Sequence, residues 1–297
     1  MANTDEDTIV RHINYDENPY LSNTILKVIN KLKASDPEEF EHIYEGVPKD
    51  DDDSVIIKRS WINAAIDAHL KLGWEAEGSK RIGFDIADDG GDKCVNVFAH
   101  GNVAQDLKWW KAKEDEIFES CEKAYANAVD YRGEIIYDSI GVGAGAGSNF
   151  KKINSEKDTE DPVIYSKFFA DGEIIDPEKE YKHQVKNKDI FSNLKAQAWW
   201  LVADRFRKTW DAVTNGKEYP HDELISICSD ISDLEKLITE LSTPKKDYDG
   251  KGRVKVESKK DLREREIPSP DRADAFIMAF APVSRRSKGF FDVLLAK

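Results

Sequence analysis

Cysteine is scarce in this sequence: Cys94, Cys121 and Cys228 are an odd set with no CxxC spacing, which excludes a disulfide framework and a thiolate zinc knuckle. No apolar run approaches the roughly 20 residues that cross a bilayer, so a membrane-spanning protein is excluded as well. A GxxxxGK(S/T) phosphate loop is also missing. The glycine run GVGAGAG at 141–147 lacks both the Lys and the Ser/Thr, so P-loop nucleotide hydrolysis is not expected of this chain. Met1–Arg11 carries acidic residues and no basic-then-apolar leader, which predicts a protein that stays in the cytoplasm. What the chain does hold is ample material for a core: 40% hydrophobic residues, with seven Trp and thirteen Phe among 297. That is one sizeable domain with an appendage.

A net charge of −14 argues at first against a partner made of phosphates, which needs local positive charge. Its distribution points the other way. Residues 1–54 hold fourteen Asp/Glu against five Lys/Arg, a net −9, whereas residues 245–272 hold ten Lys/Arg against seven Asp/Glu, a net +3. The acidity is concentrated in an N-terminal arm, and a basic strip lies near the C-terminus.

Along the arm, NYDENPYLS reads as extended, a helix follows through Ile25, Val28, Ile29 and Leu32, and Asp36-Pro37 opens a second helical piece. Pro48 and the like-charge block Asp50–Asp53 break the pattern, so we expect a linker arm over 1–58 and a globular domain over 59–297. Ser60 caps an expected helix through Ile62, Ala65, Ile66, His69 and Leu70 that ends at Gly73; His69 reads as a packed residue. The period then changes to that of strands: Arg81–Ala87, a DDGGD turn, Cys94–Phe98 and Val103–Lys108. A helix over Glu114–Val129 and an apolar strand ending in Asp138 come next; such a strand is normally buried on both faces of a mixed sheet. Further elements are a strand at Val163–Ala170, a polar excursion over 171–186, long helices over Asn193–Trp210 and Leu224–Leu241, a basic hairpin at Lys245–Lys260, and a last helix, Ser269–Ala281. The fold class expected is α/β, a mixed central sheet flanked by helices.

Three carboxylates stand where chemistry is often done. Asp85 ends an apolar strand, Asp138 ends another, and Asp274 sits in the apolar last helix with Asp271 three residues before it, on one face. If the two strands are neighbours, a late helix laid across them would add its acids to theirs. Hard oxygen donors without thiols or imidazoles suit Mg²⁺ or Mn²⁺ rather than zinc. They suit a pair of ions that generates a hydroxide and stabilises a leaving 3′-oxygen in phosphodiester hydrolysis. Each acid taken alone is equally at home as a turn or cap residue.

The segment GFDIADDGGDK, with Asp85, Ala87 and Asp92, resembles the first nuclease motif of phage terminase large subunits. EIIYDSIGVGAGAG resembles the second motif and SPDRADAFIMAF the third; NLKAQAWWLVADRF, KVESKKDLRERE and the opening NYDENPYL with DPEEFEHIYEG are also similar to that family. The resemblance covers nearly the whole chain with its segments in order. It implies an RNase H-like (RuvC-type) nuclease domain, with Asp85, Asp138 and Asp274 as catalytic metal ligands, Asp271 at a more variable ligand position, and two Mg²⁺ or Mn²⁺ ions. It also implies a reaction, the cutting of concatemeric double-stranded DNA at the start and end of packaging. The implied partners are a packaging ATPase domain, the portal and the small terminase subunit, in the cytoplasm of an infected or lysogenic bacterium. Under it the basic strip Lys251, Arg253, Lys255, Lys259 and Lys260 becomes a candidate DNA contact. Two other readings compete: an actin-like kinase or ATPase, which predicts a duplicated second half, and a non-enzymatic docking module of the packaging motor.

Overall fold

Strand alternation decides which side chains share a face in this protein. The computed structural model describes residues 15–26, 29–30, 43–45, 54–87, 93–112, 117–157, 162–182 and 185–282. Contacts divide the chain into two bodies, Met1–Asp52 and Asp53–Lys297. In the first body a 3-10 turn at Tyr15–Glu17 replaces the extended start expected from the sequence. The Asn18 side chain accepts from the Tyr20 amide at 3.0 Å, and Ser22 Oγ accepts from the Ile25 amide at 3.3 Å to open a helical stretch over 23–26. Tyr15 and Tyr44 meet edge to face. The helical piece expected after Asp36 lies outside the described residues up to 42.

The second body is built on a six-stranded sheet. Its strands are β1 (Lys80–Asp85), β2 (Cys94–His100), β3 (Val103–Trp110), β4 (Glu134–Asp138), β5 (Tyr165–Phe168) and β8 (Ser226–Ile227), in the spatial order β5-β4-β1-β2-β3-β8. Strands β1, β2 and β3 form the expected antiparallel meander, while β4 joins β1, β5 joins β4 and β8 joins β3 in parallel. Ladders β6 (Glu180–Lys182) with β7 (Val185–Lys186), and β9 (Lys246–Tyr248) with β10 (Val254–Val256), are separate hairpins. Among the described residues one such large sheet occurs, not the duplicated half of a kinase-like fold. No described helix is long and apolar enough to cross a membrane.

Helices α1 (Arg59–Ala65), α2 (Ala68–Leu72), α3 (Ile117–Tyr131), α4 (Ala146–Lys157), α5 (Asn187–Ile190), α6 (Leu194–Asn215), α7 (Leu234–Ser242), α8 (Lys259–Glu264) and α9 (Asp271–Phe280) complete the body. One face of the sheet, carrying Ile82, Phe84, Phe98, Ile135 and Tyr137, packs on Cys121, Ala124 and Tyr125 of α3 and on Phe150 and Ile153 of α4. The other face, with Val95, Val97, Leu107 and Ile136, meets Trp199, Val202 and Phe206 of α6, Leu237 and Ile238 of α7, and Ala273, Phe276 and Ile277 of α9. Successive strand residues point to opposite faces. Since Ile82 and Phe84 face α3 and α4, Gly83 and Asp85 face α9; by the same count Asp138 shares that side with Ile136.

Two sequence expectations change here. The helix predicted over 60–73 is two helices, because Asp67 takes a left-handed conformation (φ 51°) and Ile66 forms a parallel bridge with Ile227. The helix predicted over Leu224–Leu241 begins only at Leu234; Ser226 and Ile227 instead extend the sheet as β8. Apolar residues at helical spacing satisfied both patterns, and an open edge of β3 was satisfied by the strand. Val55, Ile56 and Ile57, on the arm side of the expected boundary, are buried in the core of the second body.

Candidate active site

Parallel pairing of β1 with β4 sets Phe84 opposite Tyr137, so the next residues, Asp85 and Asp138, end adjacent strands side by side on the face toward α9. Helix α9 approaches this face unusually closely. A Cβ at Gly83 would lie 1.9 Å from the Ala275 carbonyl oxygen, so only glycine lets the helix lie directly on β1. That contact brings Asp271 and Asp274, in the first turn of α9, over the two strand ends. Asp85, Asp138, Asp271 and Asp274 all line one cleft of ≈ 550 Å³, together with Lys195, Lys255 and Lys259. Beyond β4 the chain turns through Gly143, where a Cβ would collide with the Asp138 carbonyl at 1.8 Å; the glycine run thus serves as the tight passage that frees the strand end.

The acids differ in how they are held. Asp85 is 7% exposed, and burial first, then the charges of Asp274, Asp271 and Asp138, push its carboxyl well above the usual range, with Lys259 opposing. Burial also raises Asp138, against the Ile140 amide that donates to it at 3.0 Å. Asp271 accepts from the Lys93 amide at 2.9 Å, which ties α9 to the strand that follows the DDGGD turn. That turn, residues 88–92 with Asp92, lies outside the described residues. Asp274 receives Lys195 Nζ at 2.9 Å and Lys259 Nζ at 3.9 Å.

Of the basic strip, Lys255 and Lys259 line the cleft. Arg253 is held by Asp249 at 2.7 Å and Lys260 lies 3.7 Å from Glu264; neither lines the cleft, nor does Lys251. Lys195 is a cleft residue the sequence reading missed, as are the acids Asp171 and Glu257. Lys195 stands in the first turn of α6, behind the Asn193 side chain that accepts from the Ala196 amide at 2.9 Å. A cation in a helix's first turn opposes the helix dipole, and that local misfit is the signal that could have pointed to a carboxylate partner.

The donor set is oxygen only, which fits hard divalent cations. Among the described residues, no group of three or more His, Cys, Asp or Glu side chains is already gathered tightly enough to hold an ion. Crowded carboxylates repel, and Lys195 draws Asp274 toward itself; both forces loosen the cluster, and a bound cation would reverse the first.

Neither a family model nor a curated protein sequence matches the chain. Solved structures do. The nuclease domain of the large terminase subunit gp2 of bacterial virus Sf6 aligns with 77% of this chain and 99% of its own, at 29% identity and a TM-score of 0.70. The fold is the RNase H-like one of a phage terminase nuclease domain. A mutant of that Sf6 domain with manganese and beta-thujaplicinol aligns over the same shares at 29% identity and a TM-score of 0.71. A mutant with calcium covers 76% of this chain and 99% of that one, at 29% identity and a TM-score of 0.69. The resemblance to terminase nucleases seen in the sequence motifs is therefore matched by a likeness of fold over about three quarters of the chain.

Proposed function

We propose that this chain is the metal-dependent endonuclease of a phage DNA-packaging terminase, cutting concatemeric double-stranded DNA when packaging begins and ends. The observation that carries the proposal is the convergence of Asp85, Asp138, Asp271 and Asp274 on one cleft also lined by Lys195, Lys255 and Lys259. Asp85, Asp138 and Asp274 would hold two Mg²⁺ or Mn²⁺ ions, with Asp271 assisting; the manganese and calcium complexes of the Sf6 domain support that choice. When bound, such ions supply a hydroxide at neutral pH and stabilise the leaving 3′-oxygen. The chain's own residues do the rest. Buried Asp85 would supply one carboxylate to the ions, Asp138 is oriented by the Ile140 amide, and Asp274, now paired with Lys195, would exchange that partner for a metal. Lys255 and Lys259 hold backbone phosphates, a contact that carries little sequence information. Lys251, Arg253 and Lys260 extend the basic strip along the duplex.

The arm and residues to 58 are proposed as the link to a packaging ATPase domain, with the portal and the small terminase subunit as further partners in the bacterial cytoplasm. The isolated chain should nick plasmid DNA with Mn²⁺ or Mg²⁺, without ATP, and stop when EDTA is added. Asp85→Asn, Asp138→Asn and Asp274→Asn should each abolish cutting, because a shared ion site fails as a unit; Asp271→Asn should be milder. Calcium should support DNA binding with little cleavage. No cleavage by clean protein with any of these ions, or three Asn variants that cut like the parent, would overturn the proposal and favour a docking module.

A further inference from the structure

Helix α9 has no cap of its own. Its N-cap is Pro270, with no side-chain hydrogen bond, and the first helical bond made by its opening amides runs from Asp274 to the Pro270 carbonyl at 2.8 Å. The amides before it need acceptors from elsewhere. Glu240, in the last turn of α7, serves two of them: its Oε2 accepts from the amides of Arg272 at 2.6 Å and Ala273 at 3.2 Å. Its other oxygen accepts from Arg272 Nη1 at 2.7 Å, while Arg272 Nη2 reaches Asp233, at the N-terminus of α7, at 2.6 Å. Asp233 immediately precedes α7 and Glu240 lies in its last turn, so carboxylates from both ends of α7 converge on one buried guanidinium and clamp the helix to α9. Arg272 also lies 6.0 Å over the Trp109 ring, which itself carries Lys93, the residue whose amide holds Asp271.

Geometry separates this clamp from the cleft. At about 100° per residue, Arg272 points away from Asp274, and neither Glu240 nor Asp233 lines the cleft. The clamp therefore touches no reacting atom, yet it fixes the height and rotation of the helix that carries two of the cleft's acids, Asp271 and Asp274.

We infer that Glu240, through Arg272 and with Asp233, is a positioning residue for metal binding: it sets where Asp271 and Asp274 stand relative to Asp85 and Asp138. The inference rests on the nuclease proposal for the identity of the bound ion. Partners one step behind metal ligands commonly change affinity by about 10- to 100-fold when removed, and a cap that fixes a whole helix acts on two acids together.

The test is Mn²⁺ binding alone, without DNA, followed as the concentration that gives half the maximal thermal stabilisation. Leu237→Ala serves as the control, since Leu237 is fully buried on the same helix α7 and its truncation destabilises without touching the cap. Glu240→Ala should raise the half-saturating Mn²⁺ by at least about tenfold, Leu237→Ala by less than about twofold at a comparable loss of metal-free Tm. Glu240→Gln, which keeps an oxygen for the amides and loses the charge facing Arg272, should fall between. If Glu240→Ala does not fold, Glu240→Gln and Asp233→Asn carry the test with the same expected direction. Equal shifts in the Glu240 and Leu237 variants, or parental Mn²⁺ binding in all of the clamp variants, would overturn the positioning role alone. A parent that Mn²⁺ does not stabilise would overturn it together with the nuclease proposal.

Discussion

Placing one methyl group at Gly83 tests whether the close approach of α9 to β1 is what assembles the site. The methyl carbon would stand 1.9 Å from the Ala275 carbonyl oxygen and 2.6 Å from the Ala279 nitrogen, both backbone atoms that no rotamer change can move. To reach the 3.4 Å of ordinary contact, the helix must retreat by about 1.5 Å. Overpacking of this kind costs about 1–3 kcal/mol, which for a body of this size lowers Tm by roughly 2–12 °C. The larger effect should be on cleavage. Asp271 and Asp274 ride on α9 and would leave Asp85 by the same distance, and a 1 Å misplacement can cost about 10²-fold in rate. Gly83→Ala should therefore cut plasmid about a hundredfold more slowly at saturating Mn²⁺, well below its Tm, with a fall in Tm seen by scanning fluorimetry. A variant with parental Tm and a rate within about twofold of the parent would refute the claim that this contact sets the site.

Asp85→Asn should leave the metal-free protein at least as stable as the parent near neutral pH. An acid whose folded pKa is raised binds its proton better folded than unfolded, so the parent loses stability as pH rises above the ordinary value of 3.8, until the folded carboxyl too ionises. Urea midpoints from about pH 4 to 8 should fall less steeply in the variant, and a largely unfolded variant would mark Asp85 as structural instead. In DNA binding, Lys255→Ala with Lys259→Ala should reduce the slope of log affinity against log salt by about 0.9 for each phosphate no longer neutralised. Lys260→Ala, whose side chain lies outside the cleft, should change it less; slopes that respond equally to all three would argue that the cleft is not where the phosphates lie.

What could be read from the sequence was whatever local pattern and partner shared. Asp85, Asp138 and Asp274 were legible because an acid closing an apolar strand, or interrupting an apolar helix, is conspicuous against its own neighbours. The β1–β2–β3 meander was legible for the same reason, through a change of period and a turn rich in glycine. Lys195 and Glu240 were not. Each looks like an ordinary charged residue on a helix, and each acquires its role from a partner far along the chain, Asp274 for the first and the uncapped start of α9 for the second. The two-residue strand β8 was hidden because four apolar positions from Leu224 to Ile231 fit a helical stripe as well as an edge strand, and only the open side of β3 decides between them. The net charge misleads in a related way. A total of −14 describes the whole chain, while a phosphate responds to the few cations within a Debye length, about 8–10 Å, and around this cleft those include Lys195, Lys255 and Lys259. With two divalent cations bound, the three lysines and the four metal charges outweigh the six acids that line the cleft, so the same cleft that repels DNA in the absence of metal should attract it when metal is present.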